Sequence, residues 1–317
     1  MTDPFVRPDV AAFLGYLNNM PGPKMHELEP AAARQLYLAT KGVAEVPQGE
    51  LAVVRDLSIP GPAGAIPARL FDAADRHEAG PAVVFFHGGG FVIGDLDTHA
   101  SFCAEAARVL DVPVIAIDYR LAPEHRWPAA PDDCEAAARW VATSPPELKR
   151  SVTGLVLMGD SAGGALTIVT AIALRDEPAT VPVLVQAPIY PVVDRVEPYG
   201  SYDQFNAGYL LTRESMSWFE DAYAADLDHM RASPIRADLT GLPPCVIVTA
   251  GLDPLRDQGR RYAATLIEKG IPTIYREASG NIHGFINMRQ AIPSGQGDVT
   301  GYLTAVRAML AEQVADA

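Results

Sequence analysis

Three separated groups of residues in this chain have the types and spacing needed for nucleophilic acyl transfer. The first is Gly159-Asp160-Ser161-Ala162-Gly163-Gly164. Its serine lies between the apolar run Leu155–Met158 and a second apolar run from Ala165 to Leu174, the strand–turn–helix setting of an exposed nucleophile. So tight a turn leaves no room for a side chain at Gly159 or Gly163. It also forces Ser161 into strained φ/ψ. The Ser161 Oγ would then stand at a helix N-terminus, where free N–H groups favour developing negative charge. The second group is His87-Gly88-Gly89-Gly90, directly after the apolar run Ala82–Phe86. Glycines let backbone come close to a ligand and turn N–H groups towards it. Gly88 and Gly89, together with Ala162 after the serine, are the expected donors to an oxyanion. His87 reads as a brace for that loop and not as a base.

The third group supplies the base, because an unactivated serine hydroxyl is a poor nucleophile. Of seven histidines, His283 in Asn281-Ile282-His283-Gly284-Phe285 follows the last predicted strand and is the expected base. His26, His77, His99, His125 and His229 fall in helix starts and loops. The acid should lie between nucleophile and base in chain order. Gly251-Leu252-Asp253-Pro254-Leu255-Arg256-Asp257 offers two carboxylates. Asp253, in the loop that ends a strand, is expected to orient the imidazole. Asp257, at a helix start, is expected to serve as a cap or dipole partner.

Chemistry of this kind needs a rigid frame, and the pattern of apolar runs describes one. Leu51–Ile59 and Ile66–Phe71 read as two strands joined by a turn at Gly61-Pro62-Ala63-Gly64. Beyond them, Ala82–Phe86, Val112–Ile117, Leu155–Met158, Val183–Val185, Val246–Val248 and Thr273–Tyr275 alternate with helical stretches. Unbroken apolar runs suit strands buried on both faces, hence a mostly parallel sheet with helices on each side. Helices are expected from Val10 to Asn19, from Pro30 to Lys41 with Gly42 as the stop, from Pro131, from Asp257 to Lys269, and from Asp298 onward. About fifty residues separate the strand at Val185 from the next, too many for a structureless loop. A helical insertion over about 197–231 is expected there. With residues 1–50 it would cap the carboxyl edge of the sheet, the ligand side of such folds, over a catalytic body spanning 51–317.

Composition narrows the classes. The chain has 317 residues, 49% hydrophobic and 20% charged, ordinary for a water-soluble protein with a sizeable core. A net charge of −14 argues against nucleic acid and anionic membrane surfaces as partners. Cys103, Cys134 and Cys245 lie far apart without metal-ligand spacing, which fits reduced, buried thiols and a cytoplasmic protein. The first ten residues do not resemble a signal sequence, and no apolar run is long enough to span a membrane.

The chain resembles the bacterial hormone-sensitive-lipase family of esterases, a branch of the α/β-hydrolases. The resemblance covers about residues 81–285. It is carried by His87-Gly88-Gly89-Gly90-Phe91-Val92-Ile93-Gly94, Tyr119-Arg120-Leu121-Ala122-Pro123-Glu124-His125, Gly159-Asp160-Ser161-Ala162-Gly163-Gly164, Asp253-Pro254-Leu255 and His283-Gly284-Phe285. It implies an α/β-hydrolase fold with an eight-stranded, mostly parallel sheet and a helical cap. It also implies a cofactor-free serine carboxylesterase acting on short- to medium-chain esters through Ser161, Asp253 and His283. Members often form dimers, so a homodimer is an expectation. Arg120 and Glu124 are expected to pair beneath the site. Members commonly carry an apolar residue where this chain has Asn281. The competing readings are a hydrolase of amides, lactones or bulky esters, and a ligand-binding receptor on the same scaffold.

Overall fold

The structure, a computed structural model, describes residues 4–75 and 78–315; His77 lies outside the described residues. The chain opens with α1 (Pro8–Asn18) and α2 (Pro30–Ala44), followed by the hairpin β1 (Val53–Gly61) and β2 (Gly64–Asp72). Alternation then sets in: β3 (Gly80–Phe86), α3 (Ala100–Leu110), β4 (Val114–Ile117), α4 (Ala129–Ala142), β5 (Val152–Asp160), α5 (Ala162–Asp176) and β6 (Val183–Ile189). Two helices interrupt it, α6 (Gly200–Phe205) and α7 (Arg213–Tyr223). The chain finishes with β7 (Cys245–Leu252), α8 (Arg256–Glu268), β8 (Thr273–Ile282) and α9 (Gly295–Ala315).

The eight strands form one sheet in the order β1-β2-β4-β3-β5-β6-β7-β8. β2 runs antiparallel to both of its neighbours, and the others are parallel. Successive residues of a strand face opposite sides of the sheet, so each buried strand feeds two cores. In β5, Leu155 and Leu157 join the core that includes Ala137, Val141, Ile168 and Leu266 of α4, α5 and α8. Val156 and Met158 join the opposite core, with Phe102, Leu303 and Val306 of α3 and α9. All three cysteines are buried and unbridged. No described helix is long and apolar enough to cross a membrane.

Four expectations are corrected. β8 extends to Ile282, well past the apolar run that ends at Tyr275. It is the edge strand, and residues such as Arg276 and Glu277 are tolerated there because only one flank is paired. α2 passes through Gly42 and ends at Ala44, whose carbonyl accepts from Gln290 N and Ala291 N. α4 starts at Ala129, two residues before Pro131, and carries Asp133. Asp133 is buried and takes the Arg120 guanidinium at 2.8 Å on each carboxylate oxygen. Arg120 therefore does not pair with Glu124. Glu124 is half-exposed and is held at 2.7 Å by Arg34 of α2, which also donates to the carbonyls of Val92 and Ala122.

Candidate active site

Ser161 follows β5 directly and begins α5. Its φ of 56° and ψ of −114° are unusual for a residue with a side chain, and the surroundings enforce them. Ser161 N donates to Ile189 O at 2.8 Å, and its carbonyl accepts from Val192 N and Ala165 N. A Cβ on Gly163 would strike the carbonyl oxygen of Phe86, and one on Gly159 would strike the Gly163 carbonyl. Both glycines are steric necessities of the turn.

His283 follows the end of β8. Its Nε2 lies 2.8 Å from Ser161 Oγ and its Nδ1 lies 2.7 Å from Asp253 Oδ2. Asp253, after β7, is fully buried, and its other oxygen accepts from Leu255 N at 2.8 Å. Because Nδ1 faces a carboxylate, Nδ1 carries the proton and Nε2 is the free acceptor for the serine hydroxyl. Of the two carboxylates weighed from the sequence, Asp253 meets the imidazole. Asp257 instead accepts from Ser201 N at 2.9 Å, and Arg256 and Arg260 flank it, so it fastens α6 to α8. The Tyr190 ring lies 4.5 Å from that of His283 and limits its swing.

The glycine loop after β3 meets this chain of groups through Asp160. Asp160 Oδ1 accepts from Gly88 N at 2.7 Å, and its Oδ2 from the Tyr190 hydroxyl at 3.3 Å. His99 Nε2 lies 3.1 Å away. Burial pushes the Asp160 carboxyl up. His99 and the Gly88 N–H outweigh burial and hold it below the usual carboxylate range, so it is ionised. The expectation that Gly88 offers its N–H to a substrate is thereby corrected: that donor is already taken by a buried carboxylate. The N–H groups of Gly89, Gly90 and Ala162 have no hydrogen-bond acceptor among the described residues. The free N–H of Gly90 was not singled out from the sequence, because four residues do not reveal which amides are already bonded.

His87 is buried, stacked 4.3 Å from the Tyr119 ring, with Nδ1 on its own neighbour's carbonyl, Gly88 O, at 2.8 Å. Burial and then His99 lower its pKa to about 4, so it is neutral and braces the loop. Tyr119 adds a hydroxyl bond to His87 O at 2.7 Å. Of the other histidines, His26 lies against Ser215, and the His229 ring packs edge-on to Trp127. Asn281 does not join the site. Its Nδ2 donates to Asp298 and its Oδ1 accepts from Ile282 N.

Two residues bring the 200–223 region onto the site. The Phe219 ring of α7 fills the space where Gly90 would carry a side chain, and Leu210 lies 3.8 Å from the corresponding position at Gly284. Phe205 and Ile282 share a small apolar cluster with Val10 and Leu14 of α1.

The chain matches the family described as alpha/beta hydrolase fold over residues 83–287. It is 41% identical over 267 residues to the carboxylic ester hydrolase LipN of Mycobacterium tuberculosis, spanning 81% of this chain and 70% of that protein. It is 34% identical over 301 residues to an ethyl acetate hydrolase of Pseudomonas putida, spanning 90% and 94%. Among solved structures it resembles an alpha/beta hydrolase enzyme from the metagenome of Lake Arreo, Spain, with a TM-score of 0.91, 36% identity and coverage of 96% and 98%. It also resembles an esterase of Pyrobaculum calidifontis, with a TM-score of 0.87, 35% identity and coverage of 96% and 99%.

Proposed function

Given that the chain belongs to the alpha/beta hydrolase family, in its hormone-sensitive-lipase-like branch, we propose that it is a serine carboxylesterase acting on small ester molecules. The observation that carries this reading is the continuous hydrogen-bonded chain Ser161 Oγ–His283–Asp253, at 2.8 and 2.7 Å. Ser161 attacks the ester carbonyl while His283 Nε2 takes the hydroxyl proton. Asp253 stabilises the imidazolium and keeps its orientation. The carbonyl oxygen becomes an oxyanion held by the N–H groups of Gly89, Gly90 and Ala162. The tetrahedral intermediate collapses as the imidazolium passes its proton to the leaving alcohol. Water then attacks the acyl-enzyme, gives a proton to His283, and the acid departs as Ser161 regains its hydrogen.

In this reading residues 1–50 and about 197–231 form the cap over a body spanning 51–317. Phe219 and Leu210 in contact with the glycine loops support it. Three buried thiols support a reducing, cytoplasmic setting. The homodimer that the family resemblance implies would use a free sheet edge, and β8 is one; sedimentation velocity measures this.

The test is kcat/KM on p-nitrophenyl esters from acetate to laurate, with Ser161→Ala beside the native chain. A maximum at short to medium chains, lost by at least about 1000-fold in the folded variant, is expected. Retained hydrolysis in Ser161→Ala would overturn the assignment.

A further inference from the structure

The loop that carries His283 is gripped on both flanks by the first forty-five residues. Upstream, Arg7 donates from its backbone N to Gly280 O at 3.2 Å and from Nε to Ser279 O at 2.7 Å. Its two terminal nitrogens take Asp298 in a fork, at 2.6 and 3.0 Å. Asp298 Oδ2 in turn accepts from Asn281 Nδ2 at 3.0 Å, and Asn281 Oδ1 accepts from Ile282 N at 2.9 Å. The sequence Arg7–Asp298–Asn281–Ile282 therefore ends one peptide unit before His283. Gly280, at φ +72°, lies flush against Phe5 and Arg7, with room for no side chain. Downstream, Glu45 and Arg289 form an ion pair at 2.6 Å with both side chains 1% exposed.

Asn281 is fully buried, and its amide has one partner on each side. Without Arg7, Asp298 would keep its charge beside Asn281 without the guanidinium that orients it. With the Arg7 side chain removed, the last residues of β8, on the edge of the sheet, would lose the Nε bond to Ser279 O, and Asp298 would lose both bonds of the fork. A bidentate guanidinium–carboxylate pair fixes direction as well as distance, unlike a single point contact. Reacting groups displaced by about 1 Å can lose about 100-fold in rate, so such a brace matters to a base that must reach a hydroxyl.

We propose that Arg7, acting through Asp298 and Asn281, is a positioning residue that holds His283 between Asp253 and Ser161. The kinetic part rests on the esterase reading above; the spectroscopic part does not.

The test compares the native chain with Arg7→Ala and Arg7→Lys. One readout is the low-field proton resonance of His283 Nδ1–H on Asp253, identified by its loss in His283→Ala. The other is kcat and KM on p-nitrophenyl acetate. In Arg7→Ala the resonance is expected to broaden or vanish, and kcat to fall roughly ten-fold with KM within about two-fold. Arg7→Lys should recover part of both, since lysine restores the charge but not the fork. A folded Arg7→Ala with a sharp resonance overturns the proposal, whatever happens to kcat. So does unchanged kcat when Ser161→Ala is inactive. Should Arg7→Ala fail to fold, Asn281→Leu is read by the same two measurements, and native values there overturn it equally. Ser161→Ala separately tests the esterase reading, because it removes turnover without touching the His283–Asp253 contact.

Discussion

Asp160 connects Ser161 and the glycine loop: it precedes Ser161 in the chain and takes the Gly88 amide through space. A buried carboxylate that accepts a backbone N–H fixes that peptide plane, and with it the direction of the next two amides. Asp160→Ala should leave the Gly88 N–H buried without an acceptor. A loss of about 100-fold in kcat is expected, comparable to removing an oxyanion donor, with little change in KM. Steady-state kinetics on the folded variant measure it. The meeting of Ser161, Asp253 and His283 was legible in the sequence because each has an obligatory place relative to a strand end. The sequence misdirected on Gly88 because the acceptor lies 72 positions away. The Arg120–Glu124 pairing failed for the same reason: Asp133 and Arg34 come from other elements and reach the two charges first.

Among the elements, β3, β5 and β7 could be read from their unbroken apolar runs, since strands covered on both faces show little else. β8 could be read so only over Thr273–Tyr275, because the rest of this edge strand mixes polar and apolar residues. The insertion between β6 and β7 was legible as helical from its length, but not where α7 would press. In the structure α7 sets the Phe219 ring against Gly90, beside the free amides of the loop, and so limits the room above them. Phe219→Ala should move the preferred ester towards longer chains, with kcat/KM for octanoate rising relative to acetate by about ten-fold. One or two extra methylene contacts account for that size, at about 0.8 kcal/mol each. The ester series measures it; an unchanged profile would place the reacting acyl chain elsewhere.

For the molecule as a whole, acidity enters stability at Asp118. Burial first, then the nearby charges of Asp95 and Asp97, raise its pKa from 3.8 to about 6. The Arg69 guanidinium lowers it by less than burial and Asp95 raise it. A raised folded-state pKa means that the folded chain keeps a proton the unfolded chain has lost. Its contribution is full below about pH 4 and is lost as pH rises through about 6. Asp118→Asn should therefore stabilise the protein at neutral pH by at most about 3 kcal/mol, raising Tm by about 5 °C, with no gain at about pH 4. Thermal melts of both chains at the two pH values measure it. A last consequence concerns the order in which the ribosome delivers the parts. Arg7 and Asp298 are 291 positions apart, so Arg7 must wait through the synthesis of that stretch for its partner. At roughly 5–20 residues per second that wait is about 15–60 s. During it α1, with its apolar face, has neither β8 nor α9 to dock on. A nascent chain that stops short of α9 would already hold Ser161, Asp253 and His283, yet would lack the Arg7–Asp298 fork that braces the end of β8.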